Sequence, residues 1–369
     1  MKRVKHSNLP KLVAFFLVVG VLTCTVAYAA SGWNYDILNS TLNNDNTNSD
    51  KTDSSDKNDD DNTDVPVVLP IPEYLHYITG MEISPDRAND LPLCFVFDSA
   101  INAYSMSTSF LTFEIPTENG RTRLLSFTDD ALTLGKIGSI APTRDSISTI
   151  ASIFGGVIVC DGNDGNMSDS SASYAYPSLD IKKNTGYHYT EYGNRLYTNS
   201  DLIRALIKNT DTPTQADTKP LAPYIFNGYY DEKISYLEAA LTVEIGYGEA
   251  NRSQFIFSNE TRRYVLSKNG QVITDPINDK CCSYDNVFIL YVDSTTYENA
   301  EFTESVIDLP SGGTGIYATC GTYTEINWSI SEDGNMLFTD NNGNTLTVNR
   351  GSSFISFVKS SNMNSVSFS

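Results

Sequence analysis

Arginine is scarce in this acidic chain, yet Arg121, Arg123 and Arg144 fall within 24 residues. The first two lie in Glu118-Asn119-Gly120-Arg121-Thr122-Arg123; the third follows Lys136-Ile137-Gly138 and precedes Asp145. A guanidinium presents paired N–H donors whose geometry matches a carboxylate or phosphate. Such a cluster has two readings. Either it forms internal salt bridges, or Glu118, Arg121, Thr122, Arg123 and Arg144 line a cleft for an anionic ligand. Carboxylates are plentiful as well, and a hydrolase of the glycosidase type needs only two that face each other. Asp98, Glu118 and Asp161 are the candidates for such a pair, with Glu114 and Asp164 nearby in sequence.

Other chemistry is thinly represented. The three histidines are His6, His76 and His188, too few for a His-rich transition-metal site, so no metal and no cofactor is expected. A Ser-His-Asp triad would have to use one of the last two, and no Gly-x-Ser-x-Gly run exists, so both read as surface residues. Cys94 and Cys160 sit in apolar runs and read as buried thiols. Cys281-Cys282 offers one partner for Cys320, which leaves an odd set; Cys320-Gly321 has no histidine shortly before it to make a nucleophile. Gly312-Gly313-Thr314-Gly315 lacks the lysine and the strand–loop–helix setting of a phosphate loop, so it reads as a tight turn.

The elements that must position these residues follow from periodicity. Leu93-Cys94-Phe95-Val96-Phe97 predicts a strand, as do Phe110 to Ile115 and Thr122 to Phe127 around the polar turn 117–120. Asp145 to Phe154 places Ile147, Ile150, Ala151 and Phe154 at helical spacing, and Gly155-Gly156 ends it before a strand through Cys160. A second helix is predicted over 201–208. Beyond about residue 240 the pattern is of short strands, opening at 240–245 and including 324–330. Asn-Gly or Asp-Gly turns stand at 269–270, 333–334 and 342–343. The expected class is α+β: a mixed α/β unit over 65–230, then a mostly β unit over 231–369.

Charge and the N-terminus bound the setting. The chain carries 45 acidic and 25 basic side chains, a net charge of −20, which excludes nucleic acid as a partner. Residues 1–30 read as a signal peptide or membrane anchor: Lys2, Arg3, Lys5 and Lys11 precede an unbroken apolar run from Leu12 to Ala30. Ala27-Tyr28-Ala29 offers a cleavage site, while Val21-Leu22-Thr23-Cys24 offers Cys24 as a lipidated first residue. Residues 31–64 read as an Asn/Asp/Ser-rich tether, since they cannot bury apolar area and lack the spaced calcium loop. The expectation is a protein outside the cytoplasm, held on the outer face of the membrane through its N-terminus, with secretion as the alternative.

Several motifs, in order, are similar to those of the YerB-like family of bacterial lipoproteins. The run 118–123 resembles that family's Glu-Gly-Gly-x-Thr-Arg, and Ile137 to Arg144 resembles its Ile-Gly-Pro-Val-Arg-Ser-x-Arg. Leu196-Tyr197-Thr198 matches the end of a Pro-His-Asn-Leu-Tyr-Thr segment. Gly315-Ile316-Tyr317 through Ile326-Asn327-Trp328-Ser329, and the hairpin 338–344, resemble its C-terminal stretch. The resemblance covers roughly 75–360 and implies paired N- and C-terminal domains of unestablished activity. It also brings Tyr197 into the candidate ligand-binding set, although Tyr197 and Trp328 read better as core than as reactive residues. Ala141 stands where the first family arginine falls, Cys160-Asp161-Gly162 where a His precedes Gly-Gly-Ser, and Gly193-Asn194-Arg195 in place of Pro-His-Asn. Asn102-Ala103-Tyr104-Ser105 also lacks the family's Arg-Pro-Gln element. These departures imply a divergent member, a binding or interaction protein for an envelope ligand or protein rather than an enzyme. The rival is an envelope hydrolase using a carboxylate pair in the same cleft.

Overall fold

The computed structural model describes residues 74–129, 131–164, 178–217, 222–228, 232–298 and 303–369. The leader, Cys24, the acidic tether and the proline-rich run at 65–72 lie outside them. Among the described residues no helix is long and apolar enough to cross a membrane.

The described chain is mostly β, with two α-helices. Before residue 211 it forms β1 (Leu93–Phe97), β2 (Leu111–Pro116), β3 (Thr122–Thr128), β4 (Ile137–Ile140), α1 (Asp145–Ile153) and β5 (Val157–Cys160). β6 (Leu179–Asp180), β7 (Tyr189–Glu191), β8 (Arg195–Thr198) and α2 (Ser200–Thr210) follow. After it come β9 (Ile225–Phe226), β10 (Glu238–Ala239), β11 (Thr242–Gly248), β12 (Asn251–Ser258), β13 (Arg263–Lys268), β14 (Gln271–Val272), β15 (Ser283–Tyr284) and β16 (Asn286–Val292). β17 (Ser294–Glu298), β18 (Thr303–Ile307), β19 (Gly313–Thr319), β20 (Thr322–Ile330), β21 (Met336–Thr339), β22 (Thr347–Val348), β23 (Ser353–Lys359) and β24 (Val366–Phe368) complete the C-terminal part, which is β-rich.

One large sheet runs through both parts in the order β10-β20-β19-β16-β23-β2-β3-β1-β4-β8-β7. Its central join is β23, parallel to β16 on one side and to β2 on the other, from Leu111↔Ser353 to Glu114↔Ser356. The two sequence units therefore meet inside a hydrogen-bonded sheet. A second sheet, β14-β13-β12-β11-β24, packs on one face of it.

Burial of both faces explains the uninterrupted apolar runs. In β1, Leu93, Phe95 and Phe97 point to the core shared with the second sheet and α2, while Cys94 and Val96 point to the core under α1. The alternation that marks a half-exposed strand has no place in such a strand. Each of the fully buried phenylalanines, Phe95, Phe113, Phe127, Phe288, Phe354 and Phe357 among them, contributes roughly 1.5–3 kcal/mol by leaving water. α1 buries Ile147, Ile150 and Ala151. α2 is capped by Asn199, whose side chain accepts from the Leu202 N–H at 3.0 Å.

Candidate functional site

The strand order places several loops side by side. β1 and β5 are parallel, from Leu93↔Val157 to Phe95↔Val159, and β5 is parallel to β6 through Cys160↔Asp180. Asp98, Asp161 and Asp180 thus emerge together at the carboxyl ends of three parallel strands, the place where open α/β sheets hold ligands. Beside them the segment leaving β4 is tied down by three backbone bonds: Asp161 N–H to Ala141 O (3.0 Å), Thr143 N–H to Gly162 O (2.9 Å) and Asp164 N–H to Thr143 O (3.3 Å). That short ladder brings Asp164 to the two arginines.

Both Arg123 and Arg144 are paired with carboxylates. Arg144 donates to both Glu118 oxygens, at 2.5 and 2.9 Å, and through Nε to Asp164 at 3.0 Å. Arg123 donates to both Asp164 oxygens, at 2.7 and 2.5 Å, and to the Pro142 carbonyl at 2.8 Å, with Asp98 3.4 Å from its Nε. Two cations face three carboxylates, so the network has no net positive charge to offer an anion. Burial alone would raise the Glu118 and Asp164 carboxyls; the bonds from Arg144 and Arg123 outweigh it and hold both below the ordinary range. The polar turn 117–120 is what aims Glu118. Asn119 and Gly120 both take positive φ, and a Cβ on Gly120 would meet the Tyr247 carbonyl at 2.9 Å.

Asp161 differs. Its Oδ1 is buried and has no hydrogen-bond partner among the described residues, and the Lys182 ammonium stands at 3.8 Å, beyond hydrogen-bonding reach. Desolvation raises its pKa, reinforced by Asp180 and Asp98 and opposed by Lys182 and His188. The Nδ1 of His188 is likewise buried without a hydrogen-bond partner among the described residues. Two polar atoms hidden from water and unsatisfied in one neighbourhood are an anomaly in a folded protein.

The remaining candidates are dispersed. Arg121 is exposed and makes no ion pair among the described residues. Thr122 turns to the opposite side, donating to Glu114 at 2.7 Å. Tyr197 is buried, stacked on Tyr189 and edge-on to Tyr104. Trp328 is buried with its indole N–H on the Tyr291 carbonyl. Neither later histidine is a surface residue. His76 is buried because its Nδ1 accepts from the Ile78 and Thr79 N–H groups, so the turn wraps the imidazole, whose Nε2 lies 3.4 Å from Asp129. His188 is partly buried. Cys94, Cys160, Cys282 and Cys320 are free thiols, and burial pushes Cys160 up to about 12. Among the described residues no group of three or more His, Cys, Asp or Glu is placed to hold a metal.

The fold is similar to that of the crystal structure of YerB protein from Bacillus subtilis, with a TM-score of 0.66 over 80% of this chain and 100% of that one, at 19% identity. Residues 243–355 match the family described as the C-terminal domain of a protein of unknown function, DUF3048. The chain is YerB-like in fold and, over residues 243–355, similar to the DUF3048 C-terminal domain. No curated protein matches it. The family match covers β11 to β23, the part that supplies the second sheet and the central join. The arginine–carboxylate network and the unpaired Asp161 and His188 atoms lie in the preceding part.

Proposed function

We propose that this YerB-like protein is an exported, membrane-tethered binding protein of the cell envelope. Its mixed α/β N-terminal unit would hold a hydroxyl-rich ligand at the carboxyl ends of β1, β5 and β6. The basic-then-apolar leader and the acidic spacer support the location. The observation that carries the site is the pair of buried, unpartnered atoms, Asp161 Oδ1 and His188 Nδ1. Both can take a ligand hydroxyl, and Asp161 stands beside the wall formed by Arg123, Asp164, Arg144 and Glu118. The arginines serve as that wall and not as the anion receptor, because Glu118, Asp164 and Asp98 already neutralise their charge.

The experiment is a titration of the full chain with isolated cell-wall glycan, intact and digested to soluble fragments. Asp161→Ala and His188→Ala should each weaken binding by about tenfold, the equivalent of one lost hydrogen bond in a desolvated site, and Arg121→Ala should leave it unchanged. Wild-type affinity in both site variants removes the site, and absence of binding by the wild type removes the ligand class.

A second reading rests on the divergence of carboxyl pKa values. Asp161 is raised while Glu118 and Asp164 are lowered, the split that separates an acid from a base in carboxylate hydrolases. Release of new reducing ends from the same glycan, abolished by Asp161→Asn, would favour hydrolysis.

A further inference from the structure

At the β8–β7 edge of the large sheet, Lys136 sits inside a box of aromatic rings. Its ammonium is 4.1 Å from the Tyr104 ring centroid, 4.4 Å from that of Tyr197 and 5.8 Å from that of Tyr192, with Glu191 Oε2 at 2.6 Å. Tyr189 backs the box, stacked on Tyr197. Burial disfavours the Lys136 charge, yet its pKa is raised because the Glu191 hydrogen bond and the Coulombic pull of Tyr104, Glu191 and Tyr189 together outweigh desolvation.

The backbone is shaped for this arrangement. Tyr104 is fixed by a bond from its N–H to the Gly138 carbonyl at 2.6 Å. Gly138, at φ +137°, lies opposite Tyr197 in the β4–β8 pairing, and a Cβ there would come within 2.7 Å of the Tyr197 ring. Glycine at 138 therefore lets the Tyr197 ring lie across the strand and beneath the ammonium. The outer wall is Tyr192, at the apex of the β7–β8 hairpin, 76% exposed and at φ +46°. A bulky residue in the left-handed region held out into water is not explained by packing.

Three ring faces and one carboxylate around a cation form the geometry of an organic-ammonium receptor. We propose that this box is a binding site for organic ammonium ions, and that Lys136 is its internal occupant. A ligand ammonium binds by displacing Lys136, whose flexible four-carbon stem allows it to swing into solvent past the exposed Tyr192 side. The Lys136 backbone is held separately, its carbonyl accepting from Ser105 Oγ at 2.6 Å, so withdrawal of the ammonium leaves the strand in place. Because the occupant is tethered, it competes at a high effective concentration and keeps the wild-type site weak.

Tetramethylammonium chloride is the probe, titrated into full chain and followed by tyrosine ring resonances, with sodium chloride as the ionic-strength control. Lys136→Met keeps the stem and removes the charge; it should bind at least about tenfold more tightly than the wild type. The double variant Lys136→Met with Tyr197→Leu should lose that gain. A second reading uses the wild type alone: saturating tetramethylammonium should increase the rate at which an amine-acylating reagent labels Lys136. If Lys136→Met gains no affinity, or if it fails to fold and wild-type labelling stays flat, Lys136 is a structural latch and the receptor proposal is overturned.

Discussion

Lys268, on β13, places its ammonium 2.5 Å from Glu114, a β2 carboxylate with no exposed surface. The pair crosses from the second sheet to the large one, and Ser253, Asn251 and Thr122 complete its hydrogen bonds. Breaking a buried pair strands one charge. Lys268→Met should therefore cost about 3–5 kcal/mol in urea unfolding, and the double change with Glu114→Leu should recover much of that. Equal losses in single and double variants would contradict the pairing.

Arg144→Ala should remove most of the native-state advantage of Glu118 and part of that of Asp164, which keeps its bonds from Arg123. Their lowered pKa values mean that their stabilisation is present above the ordinary values of 4.5 and 3.8 and fades as pH falls through the native ones. The unfolding midpoint of the wild type should fall steeply below about pH 4. In the variant that slope should be shallower, alongside a loss of about 1–3 kcal/mol at pH 7, smaller than for a fully buried pair because Asp164 is partly exposed.

Asp161 has the opposite sign. A carboxyl whose native pKa is raised opposes folding once pH climbs from its unfolded value through its native one. Asp161→Asn should leave the protein at least as stable at pH 7 as the wild type, measured by thermal melting, even as it impairs ligand binding. A lower melting temperature would show that the Asp161 charge is satisfied in solution.

Gly138→Ala tests the tyrosine box through the backbone. The required φ of +137° and the 2.7 Å approach to Tyr197 should cost about 1–3 kcal/mol. The Tyr104 and Tyr197 ring resonances should move with it. Unchanged rings would mean that Gly138 does not set their position.

Local features were legible because their causes are local. The strand at 93–97, the helix from Asp145, the turn 117–120 and the Asn-Gly turn at 269–270 each follow from side-chain size, period or positive φ. The opening strand of the second part was read two residues early: β11 begins at Thr242, because Ala240 pairs through its N–H with Gly321 outside that ladder. Nothing in the sequence points to β23 lying beside β2, since that pairing joins residues 242 apart, Leu111 and Ser353. The arginine cluster was visible, but its neutralisation was not. The neutralising groups Asp98 and Asp164 arrive from the ends of β1 and β5, and only the parallel pairing brings them there. His188 was missed for the same reason: a lone histidine carries no signal until β7 sets it near Asp161.

The most direct measurement is carboxyl and imidazole NMR of the full chain during titration with soluble cell-wall glycan fragments. Saturable shifts at Asp161 and His188, with Glu118 and Asp164 unmoved, are the predicted result. Saturable binding that shifts Glu118 and Asp164 while leaving Asp161 and His188 unchanged would contradict the assignment of the site.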